Sequence, residues 1–243
     1  MFRNVRWAQD APSCEVLYDR RGHVRPEVTL PGYRKGEHPP NYGKKYPAEP
    51  LTRMEISRLL TACARRGPSG LRNRALIVVL WRGGLRSGEA LALELRDVDR
   101  AAGTLTIRHG KNNKRRVIGL DPPAFVVLER WLEARKELGV PRGAPVFCTI
   151  TQPNVGLPLA AAYWRKAITR LGRQAGIEKR VHSHGLRHTH AVELMREGIP
   201  SLVISRQLGH SSLAITEHYM NHLEPQEVVE TMQAREWPGE VQA

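Results

Sequence analysis

A mostly helical α+β domain with one small antiparallel sheet is what this sequence predicts. Three observations carry that reading. Apolar residues recur at helical spacing in several windows, as Ile56, Leu59, Leu60 and Cys63 do. One pair of neighbouring segments, TLTIRHG (104–110) and RRVIGL (115–120), has the composition of a β-hairpin around a polar KNNK turn. The 243 residues, 41% of them hydrophobic, suffice for one well-packed domain with an appendage.

Residues 1–50 stand apart from the rest. They carry Pro12, Pro26, Pro31, Pro39, Pro40, Pro47 and Pro50, with glycines between. GYRKGEHPPNYGKKYP (32–47) mixes Arg34, Lys35, Lys44 and Lys45 with tyrosines and turn formers. This reads as a basic, extended segment lying on the body or on a ligand. CEVLYDRRGHVRPEVTL (14–30) has the pattern of a small β-hairpin within it.

Order begins at LTRMEISRLL. Thr52 and Glu55 have capping-box spacing, and Leu51 can staple to Ile56. Gly67, Pro68 and Gly70 are expected to end that helix, and a buried helix follows through ALIVVLW. Gly83 and Gly84 break it, and a third helix runs from about Ser87 to Leu95. After the hairpin, Asp121-Pro122 opens a helix with Phe125, Leu128, Trp131 and Leu132 along one side and Gly139 as its stop. VFCT (146–149) reads as a short strand. Helices are expected over 158–175, 184–197, 201–208 and 212–221, with Ser183 as a cap of the second. A last helix runs through EVVETMQ in a tail, 224–243.

Composition narrows the partners. There are 38 basic and 24 acidic residues, a net charge of +14, and the cations are spread along the chain. That points to a polyanion, with nucleic acid the usual one. Cys14, Cys63 and Cys148 lie too far apart for a metal knuckle or a disulfide framework, which suits a reducing compartment. The longest apolar run, ALIVVLW, is far short of the roughly 20 residues of a membrane span. MFRNVRWAQD lacks the apolar core of a signal peptide. No membrane partner is expected, and the chain reads as cytoplasmic and nucleoid-associated.

LGHSSLAITEHYMN (208–221) places Tyr219 nine residues after His210. A phenol, with a pKa of about 10, is a poor nucleophile unless other groups assist it. If Tyr219 attacked a phosphodiester, charge building on the non-bridging oxygens would need fixed cations, and arginine's planar fork suits that role. The leaving oxygen would need a proton donor. Arg86 lies in GLRSGEAL near a predicted helix start, with Glu89 three residues on to hold its guanidinium. Arg187 lies in HGLRH, with His184 three residues before it on the same helical face.

GLRSGEALAL, HGLRHTHAVELM and LGHSSLAITEHYM occur in that order, with a Gly-Lys turn between the first two. Together they resemble the catalytic domain of the tyrosine recombinases, the phage-integrase family, over residues 51–223. The resemblance implies that family's catalytic-domain fold. It implies that Arg86 and Arg187 bind a scissile phosphate, that His184 and His210 assist beside it, and that Tyr219 is the nucleophile forming a 3′-phosphotyrosine. Lys111 matches the family's hairpin general acid, with Lys114 as the alternative lysine of that turn, and Glu89 matches its supporting acid. It implies double-stranded DNA as partner, a homotetramer on two DNA sites, and strand exchange through a four-way junction, with a protomer-docking role for the tail. No cofactor and no metal are needed, because the cations are built in and the covalent bond conserves the energy of the broken phosphodiester.

The competing readings are weaker. Zinc at His182, His184, His188 and His190 lacks an HExxH pattern and a cysteine ligand. A type IB topoisomerase would share the chemistry but not the LGH…Y box. A non-catalytic DNA-binding accessory factor would not need the full set of Arg86, Lys111, His184, Arg187, His210 and Tyr219. Lys114, Arg115 and Arg116, beside the turn, are expected on the DNA backbone. The family commonly has a separate helical core-binding domain ahead of the catalytic one, and residues 1–50 do not read as that domain. The expectation is that Arg34, Lys35, Lys44 and Lys45 track phosphates in its place, or that an accessory DNA-binding protein does.

Overall fold

The computed structural model describes residues 49–64, 67–108 and 115–209. Thr52 opens the first helix, α1 (Arg53–Ala62). Its hydroxyl accepts from the Glu55 amide at 3.1 Å while Glu55 Oε2 accepts from the Thr52 amide at 2.7 Å. This is the capping box expected from the spacing. Leu51 and Ile56 are both buried in the core, as a staple requires.

Helix α2 (Pro68–Arg82) begins earlier than the sequence suggests. Pro68 sits in its first turn rather than stopping α1, because a proline there loses no hydrogen bond that a helix would make. Gly70 lies inside α2, where a Cβ would come within 2.1 Å of the Ala64 carbonyl oxygen. The glycine therefore permits a close crossing of two chain segments instead of ending a helix. From Ala75 to Leu80 every α2 residue is buried.

Helix α3 (Ser87–Leu91) is shorter than expected, giving way to a 3-10 turn at Leu95–Asp97. A three-stranded antiparallel sheet follows: β1 (Val98–Asp99), β2 (Thr104–Ile107) and β3 (Arg116–Gly119), in that spatial order. The hairpin strands are as read from the sequence, and β1 is an addition too short to carry a periodicity. In β2 and β3, Leu105 faces Ile118 and Ile107 faces Arg116.

Helix α4 (Pro122–Glu137) is capped by Asp121, which accepts from the Ala124 amide at 3.1 Å, and Gly139 follows it with φ +66°. VFCT forms no strand; Cys148 makes a single bridge to Pro158. Val146, Phe147 and Cys148 are nevertheless buried, so their apolar run serves the core as irregular chain. Helices α5 (Ala161–Gln174), α6 (Ser183–Arg196) and α7 (Ser201–Leu208) complete the described body.

Helix α2 is the axis of the packing, with α4 and α6 against it, α1 against α5, and α7 against both α6 and β3. Trp131 and Trp164 are the largest fully buried side chains. A separate small cluster of Ala191, Ile204 and Leu208 joins α6 to α7. Among the described residues no helix is long and apolar enough to cross a membrane. The N-terminal segment with its proposed hairpin, the 212–221 helix and the 224–243 tail lie outside the described residues.

Candidate active site

Three chain segments meet behind α2: the Gly83–Arg86 loop, the start of α6 and the end of α7. Gly84 is the point of closest approach. Its φ is +64°, and a Cβ there would lie 2.6 Å from both His190 and Leu208 side-chain carbons. Its carbonyl accepts from Arg187 Nη1 at 2.6 Å. Arg187 Nη2 donates to the Leu208 carbonyl at 2.7 Å. Arg187 is thus anchored across two segments while only 2% exposed.

Arg86 caps α3 in an extended conformation, and its backbone amide donates to Glu89 Oε2 at 2.9 Å. Its guanidinium donates to Glu89 Oε1 at 2.9 Å and to the Gly209 carbonyl at 3.4 Å. The expected pairing of Glu89 with Arg86 is present, although Arg86 stands one position outside the helix. The carbonyls at the end of α7, the negative end of that helix, so receive arginines from three other segments, Arg86, Arg187 and, from β3, Arg116.

The start of α6 is capped differently from the expectation. His182 is the N-cap, its Nδ1 accepting from the Gly185 amide at 2.9 Å. Ser183 Oγ instead accepts from Trp164 Nε1 at 2.9 Å, which ties α6 to the core of α5. His184 is exposed, and its ring lies parallel to that of His182 at 6.5 Å. The surrounding protein, then the charges of Arg187 and Arg86, lower its pKa. His184, Arg187 and Arg86 therefore share one electrostatic neighbourhood, in which loss of hydration first and the two arginines second favour the neutral imidazole.

Arg115 is exposed. Arg116 is not turned outward as expected for a DNA-backbone contact; its fork lies on Glu89, at 3.0 and 2.8 Å. The physical reason is strand alternation. Arg116 shares a face with Ile118, which is 1% exposed, whereas Val117 between them is 58% exposed. Applied to RRVIGL, that period would have placed Arg116 inward, so the signal was present in the sequence. Lys111, Lys114, His210 and Tyr219, with Arg34, Lys35, Lys44 and Lys45, lie outside the described residues.

Burial pushes the Glu89 pKa up, but the Arg116 fork, then the Arg86 amide and guanidinium, bring it to about 2. Among the described residues no three His, Cys, Asp or Glu side chains gather as metal ligands. What the described groups offer is a buried, fixed cation in Arg187, a partly exposed second cation in Arg86 and an exposed imidazole in His184, within one electrostatic neighbourhood. That combination suits an anion on which negative charge grows during reaction.

The phage integrase family's model matches residues 49–226. The chain is similar to the tyrosine recombinase XerC 2 of Ralstonia nicotianae, at 33% identity over 74% of this chain and 51% of that protein. It is similar to the tyrosine recombinase XerD of Listeria monocytogenes, at 32% identity over 68% of this chain and 55% of that protein. Among solved structures it resembles XerA recombinase, with a TM-score of 0.64, 28% identity, and coverage of 79% of this chain and 68% of that one. It also resembles XerH recombinase bound to a palindromic difH substrate after cleavage, with a TM-score of 0.62, 26% identity, and coverage of 89% and 61%. The chain spans about half the length of the curated relatives it matches.

Proposed function

Because the chain belongs to the phage integrase family, the family of the tyrosine recombinases, we propose that it is a site-specific DNA recombinase with Tyr219 as nucleophile. The observation that carries this reading is the convergence of Arg86 and Arg187 on the end of α7, Arg187 buried and Arg86 one-third exposed, with His184 in their field. The residue after Gly209 in the chain is His210, and Tyr219 follows nine positions later.

In this reading the two arginines receive the non-bridging oxygens of a scissile phosphate. The Tyr219 oxygen attacks phosphorus, the bond to the 5′ oxygen breaks, and a 3′-phosphotyrosine forms. Lys111 gives a proton to the departing 5′ oxygen. His184, kept neutral by its neighbours, is in the right state to accept the phenolic proton. His210 hydrogen-bonds the phosphate beside it. Attack by a 5′ hydroxyl of another strand reverses each bond change and completes an exchange. Two such exchanges pass through a four-way junction.

The partner in this proposal is double-stranded DNA, which the charge of +14 favours; the similar XerH recombinase is bound to its palindromic difH substrate. Lys114, Arg115 and the cations at 34, 35, 44 and 45 would track the backbone. Four protomers on two sites, a docking role for the 224–243 tail, an accessory DNA-binding protein and residence with the nucleoid belong to the same proposal.

A covalent-trapping assay tests it. Nicked duplexes drawn from DNA flanking the gene are incubated with wild type, Tyr219→Phe and a variant neutralised at Arg34, Lys35, Lys44 and Lys45, with EDTA present, and run on a denaturing gel. A shifted protein–DNA band in wild type and its loss in Tyr219→Phe are expected, with a weaker band at moderate salt for the neutralised variant. A band that survives Tyr219→Phe refutes the nucleophile. An unchanged band for the neutralised variant removes the backbone-tracking role of those four cations.

A further inference from the structure

Glu89 is 7% exposed and accepts four hydrogen bonds. Oε1 accepts from Arg86 Nη1 at 2.9 Å and from Arg116 Nη1 at 3.0 Å. Oε2 accepts from the Arg86 amide at 2.9 Å and from Arg116 Nη2 at 2.8 Å. A carboxylate has about four acceptor positions, so this one is filled.

The two arginines are not equivalent. Arg116 has a side chain 13% exposed, and Arg86 one 33% exposed. Beyond its fork on Glu89, Arg116 donates through Nε to the Gln207 carbonyl at 3.4 Å. Gly209 lies on its guanidinium so closely that a Cβ would come within 2.8 Å of Cζ. The contact surface of Arg116 is therefore protein: Glu89 on one edge, the end of α7 on the other. Gln207 adds to the join, accepting from the Gly119 amide at 3.3 Å and donating to the Gly119 carbonyl at 2.9 Å.

The charges decide what this does. Arg86 and Glu89 alone sum to zero, and a neutral pair attracts a phosphodiester weakly. With Arg116 the trio carries one net positive charge. We propose that Arg116 is a positioning residue for Arg86. It takes half of the Glu89 carboxylate, so that the Arg86 charge remains available to an incoming phosphate while Glu89 still orients that guanidinium. The same side chain holds the end of α7 against β3, next to the step that leads to His210. This rests on the reading of Arg86 as a phosphate-binding group. A purely structural ion pair would show the same distances but would respond differently to charge-balanced substitution.

Inorganic phosphate is the probe, titrated into the full chain with 15N-labelled arginine. The Nε–H signal of Arg86, assigned with Arg86→Lys, reports binding without any knowledge of a DNA site. Arg116→Met should weaken phosphate binding by about tenfold, the effect expected of one charge roughly 10 Å from the bound anion at an effective dielectric of about 20. Glu89→Gln combined with Arg116→Met restores the net charge and should return affinity to within about threefold of wild type. Arg116→Lys, which keeps the charge and decides the matter should Arg116→Met fail to fold, should also stay within about threefold. Unchanged affinity in Arg116→Met, a double variant as weak as the single, or a tenfold loss in Arg116→Lys overturns the proposal. A wild type with no saturable shift overturns instead the phosphate-binding reading of Arg86, and the inference with it.

Discussion

Glu89→Gln perturbs one atom pair and leaves the shape of the side chain almost unchanged. The carboxylate has a pKa of about 2 in the folded protein, against about 4.3 for a free glutamate. The folded state therefore prefers the ionised group. Its contribution is fully present above about pH 4.5 and is lost as the pH falls through 2. The difference corresponds to about 3 kcal/mol. Arg86, one-third exposed, has part of its attraction screened by water, whereas Arg116 is largely enclosed. A loss of about 2 to 3 kcal/mol at pH 7 is the expected result. A glutamine also turns one acceptor into a donor that faces a guanidinium N–H or the Arg86 amide. Urea unfolding of the full chain, wild type against Glu89→Gln, at several pH values between 7 and 2 checks this. The gap should be widest at neutral pH and should close toward pH 2. A gap below about 0.5 kcal/mol at pH 7, the range of ordinary surface substitutions, refutes the reasoning. So does a gap of constant size across the pH range.

Gly84→Ala forces a Cβ to within 2.6 Å of His190 and Leu208 at a φ of +64°. Left-handed strain and overpacking together should cost roughly 2 to 4 kcal/mol, seen as a lower melting temperature; an unchanged melting temperature would show that the three-segment junction is not tight. His190 is 3% exposed, and neither ring nitrogen has a hydrogen-bond partner among the described residues. Burial, then the charges of Arg82 and Arg187, bring its pKa down to about 4. An unfolded histidine titrates near 6.5, so the chain must lose stability as the pH falls from 6.5 to 4, by about 3 kcal/mol. His190→Asn should unfold with a shallower pH dependence over that window, and parallel urea-midpoint profiles for the two proteins would contradict this assignment.

Local chemistry was legible wherever a few neighbouring residues decide the outcome. The Thr52–Glu55 box, the Asp121 cap, the Gly139 stop and the hairpin strands are short-range events. Their donors, acceptors and allowed dihedrals are all supplied within about five residues. The Arg86–Glu89 pair and the placement of His184 and Arg187 on α6 are of the same kind. At Pro68, Gly70 and Ser183 the reading failed because two elements competed for one residue. Pro68 and Gly70 carry breaker chemistry, yet tertiary packing used Pro68 to start α2 and Gly70 to let Ala64 pass close by. Ser183 has cap chemistry, but the buried Trp164 indole required an acceptor, and the cap fell to His182.

The sequence by itself determined the fold class and the order of the helices and hairpin strands. Residue spacing along helices and strands follows from backbone geometry alone. Only the tertiary structure decided how the charges are shared. Arg116 is 27 positions from Glu89, and Gly84 is 103 from Arg187. No local rule connects such pairs. They meet because α6 and α2 bury a common apolar face and α7 closes on β3. Once Glu89 is out of water, its charge has to be met by whatever cation that packing brings within reach.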